Sequence, residues 1–391
     1  MPPHGGTYEG VLREAGISWE EIPPKQTEKD CSKFRDAVCG PFQNRLFSKE
    51  DLRKYVEGEI AFLRSVGARV VLSGFTLSAS LSARAVGIPL VVTHLGAWIP
   101  PVLERGDFEV SEHFDSIFPL SLLPSALQKR LVAWLFPRLQ LHTRVFKEVA
   151  RELGIEPVRG LFDVMLGDLV LVTDVPEILG IAEEDLEAWR PQDSHYRSGL
   201  RFSYVGAIFA RTFGDLPDEL ARFLGSNKPK VYVAMASTRL EYLRSVLETL
   251  EEMDVRAVVV TTVHKDELES RANVLMYDFL PSHKVMQMCD AAIIHGGQGT
   301  VQTAIASGTP VVGIPLQPEQ NVNLKIVERL GGGRTLSLKA LRRGRLRPSL
   351  EEVLRNPAFE RAMADLRERQ ARRNGPAEAA QRLTMLRARG H

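Results

Sequence analysis

Short apolar runs alternate with amphipathic segments along most of the chain, a pattern that predicts strands alternating with helices. Residues 51–66 have the periodicity of an amphipathic helix that ends at Gly67. Apolar runs with the length of buried strands lie at 68–74, 88–94, 169–174 and 201–206. Because fully apolar strands belong to parallel sheets that helices cover on both faces, the predicted fold class is α/β.

Two segments interrupt this alternation. Residues 98–165 are rich in Pro, Leu and Phe with helical patterning, and residues 213–230 are polar and contain Pro217 and Gly225, as linkers do. Further strands are predicted within 230–238, 255–262, 273–281 and 290–315. We therefore predict two doubly wound domains at 1–215 and 230–370, a linker at 216–229 and a C-terminal helical tail at 371–391.

Composition places the chain among ordinary globular proteins. Its 391 residues exceed what one hydrophobic core usually organises, and its net charge of +1 gives no basis for nucleic-acid binding. Cys31, Cys39 and Cys289 have no CxxC spacing, which argues against a disulfide framework or a zinc site and favours the reducing cytoplasm. No apolar run has the length of a membrane span, and the first residues lack the pattern of a signal peptide.

A glycine-rich loop follows the predicted strand that begins at residue 290. The sequence reads DAAIIHGGQGT, so His295 ends the strand and Gly296, Gly297 and Gly299 follow it. Ligands of open α/β sheets bind beyond the carboxyl ends of the strands, where the next helix offers free amides and a positive dipole end. Thr300–Ser307 has the pattern of that helix, so the loop predicts a cradle for a diphosphate.

The following strand brings Glu319 and Gln320 to the same sheet edge, where a carboxylate beside an amide suits the hydroxyls of a sugar. Each feature also has a structural interpretation: glycines close many turns for packing reasons, a single histidine at a strand end is often structural, and Glu-Gln can cap a helix. The combination on consecutive loops at fixed spacing favours a ligand site.

The segment 279–333 resembles the donor-binding signature of the UDP-glycosyltransferase family, which has the GT-B fold of two Rossmann-like domains facing across a cleft. The matching pieces are FLPSHKVMQMCD, HGGQGT, ASGTPVVGIPL and PEQNVN, in the family's order and spacing. The resemblance continues in character from Val231 to Leu383, whereas the N-terminal half is similar to the acceptor domain only loosely. It implies that 1–215 binds the acceptor and 230–370 binds the donor.

The resemblance also implies roles for individual residues. Two residues would lie against the nucleotide base, a small hydroxyl pair and the glycine loop would hold the diphosphate, and Glu-Gln would hold the sugar. In chain order, the implied donor contacts are Ser237, Thr238, Phe279, Leu280, His295, Gly297, Gly299, Thr300, Glu319 and Gln320. Asn323 matches a position that we interpret as structural, and the role of Gln298 is open.

Two parts of the family's catalytic centre are not visible in this sequence. The family's general base is a histidine after its first strand; that strand–helix–strand unit would precede Met1, and we expect it to lie outside this chain. The acid that orients this base corresponds to Gly74, which has no carboxylate. His94, at the end of a predicted strand, is the candidate base that remains, and His4 lies on a different loop.

The resemblance implies an enzyme that moves a sugar from a nucleotide diphosphate, expected to be UDP, to a hydroxyl of an apolar small molecule. We expect inversion, because no nucleophile for a covalent intermediate is visible, and an apolar acceptor pocket within 98–165. No metal or cofactor is expected, and the EHFD run at 112–115 is interpreted as a solvated face. Two alternatives are a non-catalytic nucleotide-sugar-binding relative and a different nucleotide enzyme such as a dehydrogenase, which the lack of an early GxGxxG disfavours.

Overall fold

The computed structural model describes residues 12–13, 15–25, 46–106, 122–135, 138, 143–191, 195–197, 199–209, 214–235, 238–261, 264 and 267–389. This part of the chain contains two parallel sheets covered by helices, which confirms the predicted α/β class. Among its helices, none is both long and apolar enough to cross a bilayer.

The N-terminal sheet has the parallel strand order β1-β2-β3-β4. Its strands are β1 (Val71–Ser73), β2 (Leu90–His94), β3 (Leu169–Val172) and β4 (Arg201–Tyr204). The helices of this domain are α1 (Lys49–Ser65), α2 (Ala79–Val86), α3 (Pro100–Arg105), α4 (Ser125–Leu135), α5 (Arg144–Glu152), α6 (Leu161–Met165), α7 (Pro176–Leu179) and α8 (Glu183–Ala188). All four strands lie within the predicted apolar runs, and in register His94 lies beside Val172.

The C-terminal sheet has the parallel order β10-β9-β8-β5-β6-β7. Its strands are β5 (Lys230–Ala234), β6 (Arg256–Val260), β7 (Val274–Tyr277), β8 (Ala291–Ile294), β9 (Val311–Gly313) and β10 (Gly333–Thr335). From β5 the chain continues to β6 on one side, and it later returns to β8 on the other. The strand order therefore reverses between β5 and β8, and open α/β sheets bind their ligands in the crevice at such a point.

The helices of the C-terminal half are α9 (Asp218–Leu224), α10 (Leu240–Glu251), α11 (Ser282–Met286), α12 (Gln298–Ser307), α13 (Pro318–Arg329), α14 (Leu338–Arg342), α15 (Leu346–Arg355), α16 (Pro357–Ala371) and α17 (Gly375–Arg389). Helix α9 lies in the segment interpreted as a linker and begins after Pro217. Leu220 and Leu224 of this helix are buried in an apolar cluster, so the connection is packed rather than a free tether.

Apolar packing joins the two domains. One cluster contains Val172 and Phe202 of the N-terminal sheet together with Tyr232 and Ile294 of the C-terminal sheet. The last helix, α17, returns to the N-terminal domain, where Ala379 packs with strands β2 and β3. The tail therefore ties the C-terminal domain to the sheet that opens the chain.

Candidate donor site and the facing sheet edge

The glycine loop lies at the crevice where the strand order reverses, directly after β8. Gly296 has φ +92°, and a Cβ there would lie 2.6 Å from the Leu324 side chain and 2.8 Å from the Gln320 carbonyl oxygen. Only glycine combines this left-handed backbone with such a close approach. Asn323 donates to the Gly296 carbonyl oxygen at 3.0 Å, which fits the structural role interpreted for it and holds the loop against α13.

His295 points back across the crevice to β5. Its Nδ1 lies 3.1 Å from the Ala234 carbonyl oxygen, and because a carbonyl only accepts hydrogen bonds, Nδ1 carries the hydrogen. Burial lowers the pKa of His295, so the free ring is neutral and Nε2 presents a lone pair. A Cβ on Gly297 would approach Nε2 to 2.9 Å, so Nε2 lies beside the glycine loop. A diphosphate bound here would favour the imidazolium form, in which Nε2 also donates.

Helix α12 begins at Gln298, two residues earlier than predicted, with Gly297 as its N-cap and no side chain capping it. Its first amides are therefore left for an anion, which the helix dipole also favours. A Cβ on Gly299 would meet nothing within 4 Å, so the space beside the first turn is open. Thr300 lies in the same turn with a half-buried side chain, and its amide donates to the Gly297 carbonyl oxygen at 3.0 Å.

The loop after β5 supplies a hydroxyl on the other side of the crevice. Thr238 is 5% exposed, and its Oγ1 is buried without a hydrogen-bond partner in the described chain. His264 Nε2 lies 2.8 Å from the Thr238 carbonyl oxygen and so donates to it. His264 was not predicted as a site residue, although it follows the end of a predicted strand adjacent to β5. Ser237 lies outside the described residues.

The two residues assigned to the nucleotide base differ in exposure. The Phe279 ring is 56% exposed, so it is free to lie against a planar base. The Leu280 side chain is 4% exposed and belongs to the apolar cluster between the domains, which leaves only its backbone for a ligand. Ser282 and Tyr232 hydrogen-bond through their hydroxyls at 2.8 Å just below this turn.

Glu319 and Gln320 have different roles at the start of α13. The Gln320 Oε1 accepts from the Leu316 amide at 2.8 Å and the Gln317 amide at 3.1 Å, as part of a capping box. Gln320 was expected to contact the sugar, but its side chain is 4% exposed and its oxygen is used in the helix cap. Glu319 Oε2 is buried with no partner among the described residues, and burial raises the pKa of Glu319 to about 8. At neutral pH, Glu319 is a protonated acid that can donate a hydrogen bond.

His94 lies at the carboxyl end of β2 in the N-terminal sheet. It is 3% exposed, and burial lowers its pKa to about 4. Nδ1 lies 3.0 Å from the Leu95 carbonyl oxygen and therefore carries the hydrogen, while Nε2 is buried without a partner in the described chain. Nε2 therefore carries a lone pair, and the Leu95 main-chain carbonyl rather than a carboxylate sets the tautomer of the ring.

Asp174, at the end of β3, is a buried acid that was not predicted as a site residue. Its Oδ1 accepts from the Val175 amide at 2.9 Å, and its carboxyl group also hydrogen-bonds the Gln298 side chain. Burial raises the pKa of Asp174 to about 7. Gln298 Nε2 also donates to the Thr173 carbonyl oxygen at 3.3 Å. Gln298, whose role was left open, therefore forms a contact between the domains. The sequence feature that could have indicated Asp174 is the acid at the end of the strand-like run LVLVTD.

Some predicted features lie outside the described residues, namely His4, the EHFD run at 112–115, Cys31 and Cys39. Within the described residues, no three His, Cys, Asp or Glu side chains form a group that could hold a metal ion.

Known proteins resemble the chain at the level of domain, sequence and fold. Residues 244–386 match the family described as Erythromycin biosynthesis protein CIII-like, C-terminal domain. Over 333 residues the chain is 27% identical to a PGL/p-HBAD biosynthesis glycosyltransferase of Mycobacterium tuberculosis, with 83% of this chain and 72% of that protein covered. Over 340 residues it is 26% identical to a PGL/p-HBAD biosynthesis rhamnosyltransferase of Mycobacterium bovis, with 83% and 68% covered. The structure of glycosyltransferase VinC in complex with DTDP has a TM-score of 0.63 at 16% identity, with 97% of this chain and 90% of that chain covered.

These similarities confirm the resemblance seen in the donor signature. They comprise a family match in the C-terminal half, relatives that are glycosyltransferases, and a solved glycosyltransferase structure with a similar fold. The chain is a glycosyltransferase with the GT-B fold, and its residues 244–386 are similar to the EryCIII-like C-terminal domain.

Proposed function

We propose that this glycosyltransferase moves the sugar of a pyrimidine nucleoside diphosphate to a hydroxyl of an apolar small molecule with inversion. The sequence signature favours UDP, and the similarly folded glycosyltransferase VinC forms a complex with DTDP, so both nucleotides belong to the proposal. The cleft between the two sheet edges would hold the donor against the C-terminal domain.

The observation that carries the proposal is a set of polar atoms left without partners around one crevice. Thr238 Oγ1 and Glu319 Oε2 are buried and unsatisfied within the described chain, and the first turn of α12 is uncapped beside the open space at Gly299. Unmet buried polar groups cost about 1–3 kcal/mol each, so proteins keep them mainly where a ligand or water completes them. A nucleotide sugar supplies the required partners: phosphate oxygens for the helix end and hydroxyls for Glu319.

The proposed reaction is a single displacement. The acceptor oxygen forms a bond to the anomeric carbon while the bond from that carbon to the β-phosphate oxygen breaks. The electron pair leaves with the diphosphate, which the end of α12 and the imidazolium of His295 would stabilise. The proton of the acceptor hydroxyl passes to a base, for which His94 Nε2 is the proposed atom because its lone pair is unpartnered in the described chain.

An apolar acceptor is proposed because the N-terminal domain exposes large apolar side chains. Leu127 and Trp134 on α4 are 48% and 56% exposed, and Leu122 just before this helix is 72% exposed. These residues lie within the Leu- and Phe-rich segment 98–165.

The test combines binding, transfer and stereochemistry. UDP and dTDP are titrated by calorimetry, transfer from the corresponding sugar donors to a panel of aromatic and aliphatic alcohols is measured, and the anomeric configuration of the product is read by NMR. We expect binding of at least one nucleotide and an inverted product. Failure of both nucleotides to bind would overturn the donor assignment, and a retained configuration would overturn the single displacement.

A further inference from the structure

A cavity separate from the interdomain cleft lies at the amino ends of β2, β3 and β4. It is on the opposite edge of the N-terminal sheet from His94 and Asp174. Its volume is about 620 Å³, which is in the range of pockets that hold small organic molecules. Arg84, Arg197 and Arg201 line it. The proposed donor site does not involve this cavity.

Two of these arginines are almost fully buried and only partly paired. The side chains of Arg84 and Arg197 are 8% and 6% exposed. Arg84 Nη2 pairs with Asp163, and Arg197 Nη1 donates to Asp168 Oδ1 at 2.7 Å. Arg84 Nε and the Nε and Nη2 atoms of Arg197 are buried without a hydrogen-bond acceptor in the described chain, although Arg197 Nε lies 3.5 Å from Asp163 Oδ1 as an ion pair. The two arginines that line the cavity therefore keep buried guanidinium donors that no described residue satisfies.

The acids nearby are already engaged. Asp163 Oδ2 accepts from the Arg159 amide and Asp168 Oδ2 accepts from the Leu90 amide, each at 2.8 Å. Glu156, which lines the cavity together with Asp168, accepts from Arg159 Nη2 at 2.8 Å. Arg201 has no ion pair with any described residue. The cavity lining has the three arginines against two acids, Glu156 and Asp168, so its formal charge is positive by one.

The rest of the wall is apolar. It includes Ile88 and Ile155, and Leu386 from the C-terminal helix α17. Buried guanidinium donors favour a carboxylate or phosphate oxygen, and the aliphatic wall favours a hydrocarbon beside it. We propose that this cavity binds an organic anion with an apolar body, with its anionic oxygens on Arg84, Arg197 and Arg201.

The binding test uses three probes on the full chain, followed by calorimetry and thermal unfolding. Hexanoate has both the anion and the chain, inorganic phosphate has the anion alone, and hexanol has the chain alone. We expect hexanoate to bind with a dissociation constant below about 1 mM and to raise the melting temperature, with phosphate and hexanol each at least about tenfold weaker. Equal binding of hexanoate and hexanol, or no binding of hexanoate, would overturn the proposal.

Variants locate the binding. Arg201→Gln removes an exposed cation with no ion pair in the described chain and is expected to weaken hexanoate about fivefold, while Leu386→Trp fills the cavity and is expected to abolish binding. Arg69→Gln removes an exposed arginine just before β1, outside the cavity, and is the matched control. UDP affinity is measured in every variant and is expected to stay constant. Hexanoate binding that survives Leu386→Trp would place the probe elsewhere and refute the site.

Discussion

The carboxyl edges of the two sheets meet at one cleft, but they differ in how many of their buried polar groups have hydrogen-bond partners. At the C-terminal sheet, Thr238 Oγ1 and Glu319 Oε2 are buried without partners in the described chain, and the helix after the glycine loop is uncapped. At the N-terminal sheet, Asp174 is engaged by Val175 and Gln298, and His94 keeps a single unpartnered nitrogen. The first edge leaves several polar groups without a protein partner, as the proposed oxygen-rich ligand requires, whereas the second uses its polar groups mainly in contacts between the domains and leaves one nitrogen lone pair.

The sharpest test of the N-terminal edge is His94→Gln. If Nε2 takes the acceptor proton, the transfer rate falls about 100-fold or more, because glutamine cannot take up a proton, while UDP affinity stays constant. Since the pKa of His94 is lowered to about 4, the ring is already neutral above about pH 5 and its contribution to the rate is lost only as the pH falls through about 4. Steady-state rates against pH measure both effects.

His195→Gln is the control for that variant, since this half-buried histidine lies two residues before Arg197, which lines the cavity at the amino ends of the strands. It is expected to leave the transfer rate within about twofold. A rate for His94→Gln that matches this control would remove His94 from the reaction and leave the N-terminal edge with a purely structural role.

At the C-terminal edge, His295→Ala is expected to weaken UDP binding about tenfold, because it removes a charge-assisted hydrogen bond to the diphosphate. Burial lowers the pKa of the free ring, and the bound diphosphate raises it. Affinity is therefore highest below the pKa of the free ring and declines as the pH rises through the pKa of the complex. Calorimetry at several pH values measures this; an affinity that does not change with pH or on substitution would contradict the role.

Gly299→Ala distinguishes a ligand surface from a packing constraint. The added methyl meets nothing within 4 Å in the protein, so the melting temperature should hold or rise slightly, but UDP binding should weaken about fivefold because the methyl enters the ligand's space. Gly296→Ala is the matched contrast: with φ +92° and a contact at 2.6 Å, it should cost more than about 1 kcal/mol of stability. Unchanged UDP affinity in Gly299→Ala would place the diphosphate elsewhere.

Glu319→Gln tests whether the unpartnered carboxyl group of Glu319 lowers the free energy of unfolding at high pH. Its pKa is about 8 in the fold and about 4.3 when unfolded, so the folded protein holds a proton that the unfolded chain releases. The free energy of unfolding of the native chain therefore falls as the pH rises from about 4.3 through about 8. The variant has no carboxyl group at this position, so its free energy of unfolding should not fall in this way. Its melting temperature should be about 2–4 °C above that of the native chain at pH 8 and equal to it at pH 4.

Glu248→Gln, on the exposed face of α10, is the control and should shift the melting temperature by less than about 1 °C at either pH. A flat difference between native chain and Glu319→Gln across this pH range would mean that the Glu319 carboxyl is solvated.

The smallest expected effect is that of Asp174→Asn. The pKa of Asp174 is about 7 in the fold and about 3.9 when unfolded, so its contribution to stability also declines as the pH rises through that window. Because the Val175 amide and Gln298 already favour the charged form, the variant should gain only about 1–2 °C at pH 8 and nothing at pH 4. A loss of stability at pH 8 would show that the charged acid, rather than its shape, holds the domains together.

The sequence by itself determined the α/β class, nearly every strand and the glycine loop, because apolar period, glycine and helix start signals are local. The run at 290–321 predicted both strands, the helix between them and the order of polar residues. The helix begins at Gln298, two residues earlier than predicted, and the strands end at Ile294 and Gly313, one and two residues earlier than predicted. The tertiary structure decided which polar groups of each side chain remain free to bind a ligand. Gln320 uses its oxygen in a helix cap, Leu280 is buried between the domains, and Gln298 reaches Thr173 across the cleft. Burial and hydrogen-bond partners depend on residues far apart in the chain, so no local pattern could reveal that Glu319 is left unsatisfied, that Asp174 faces the donor helix, or that three arginines share a cavity.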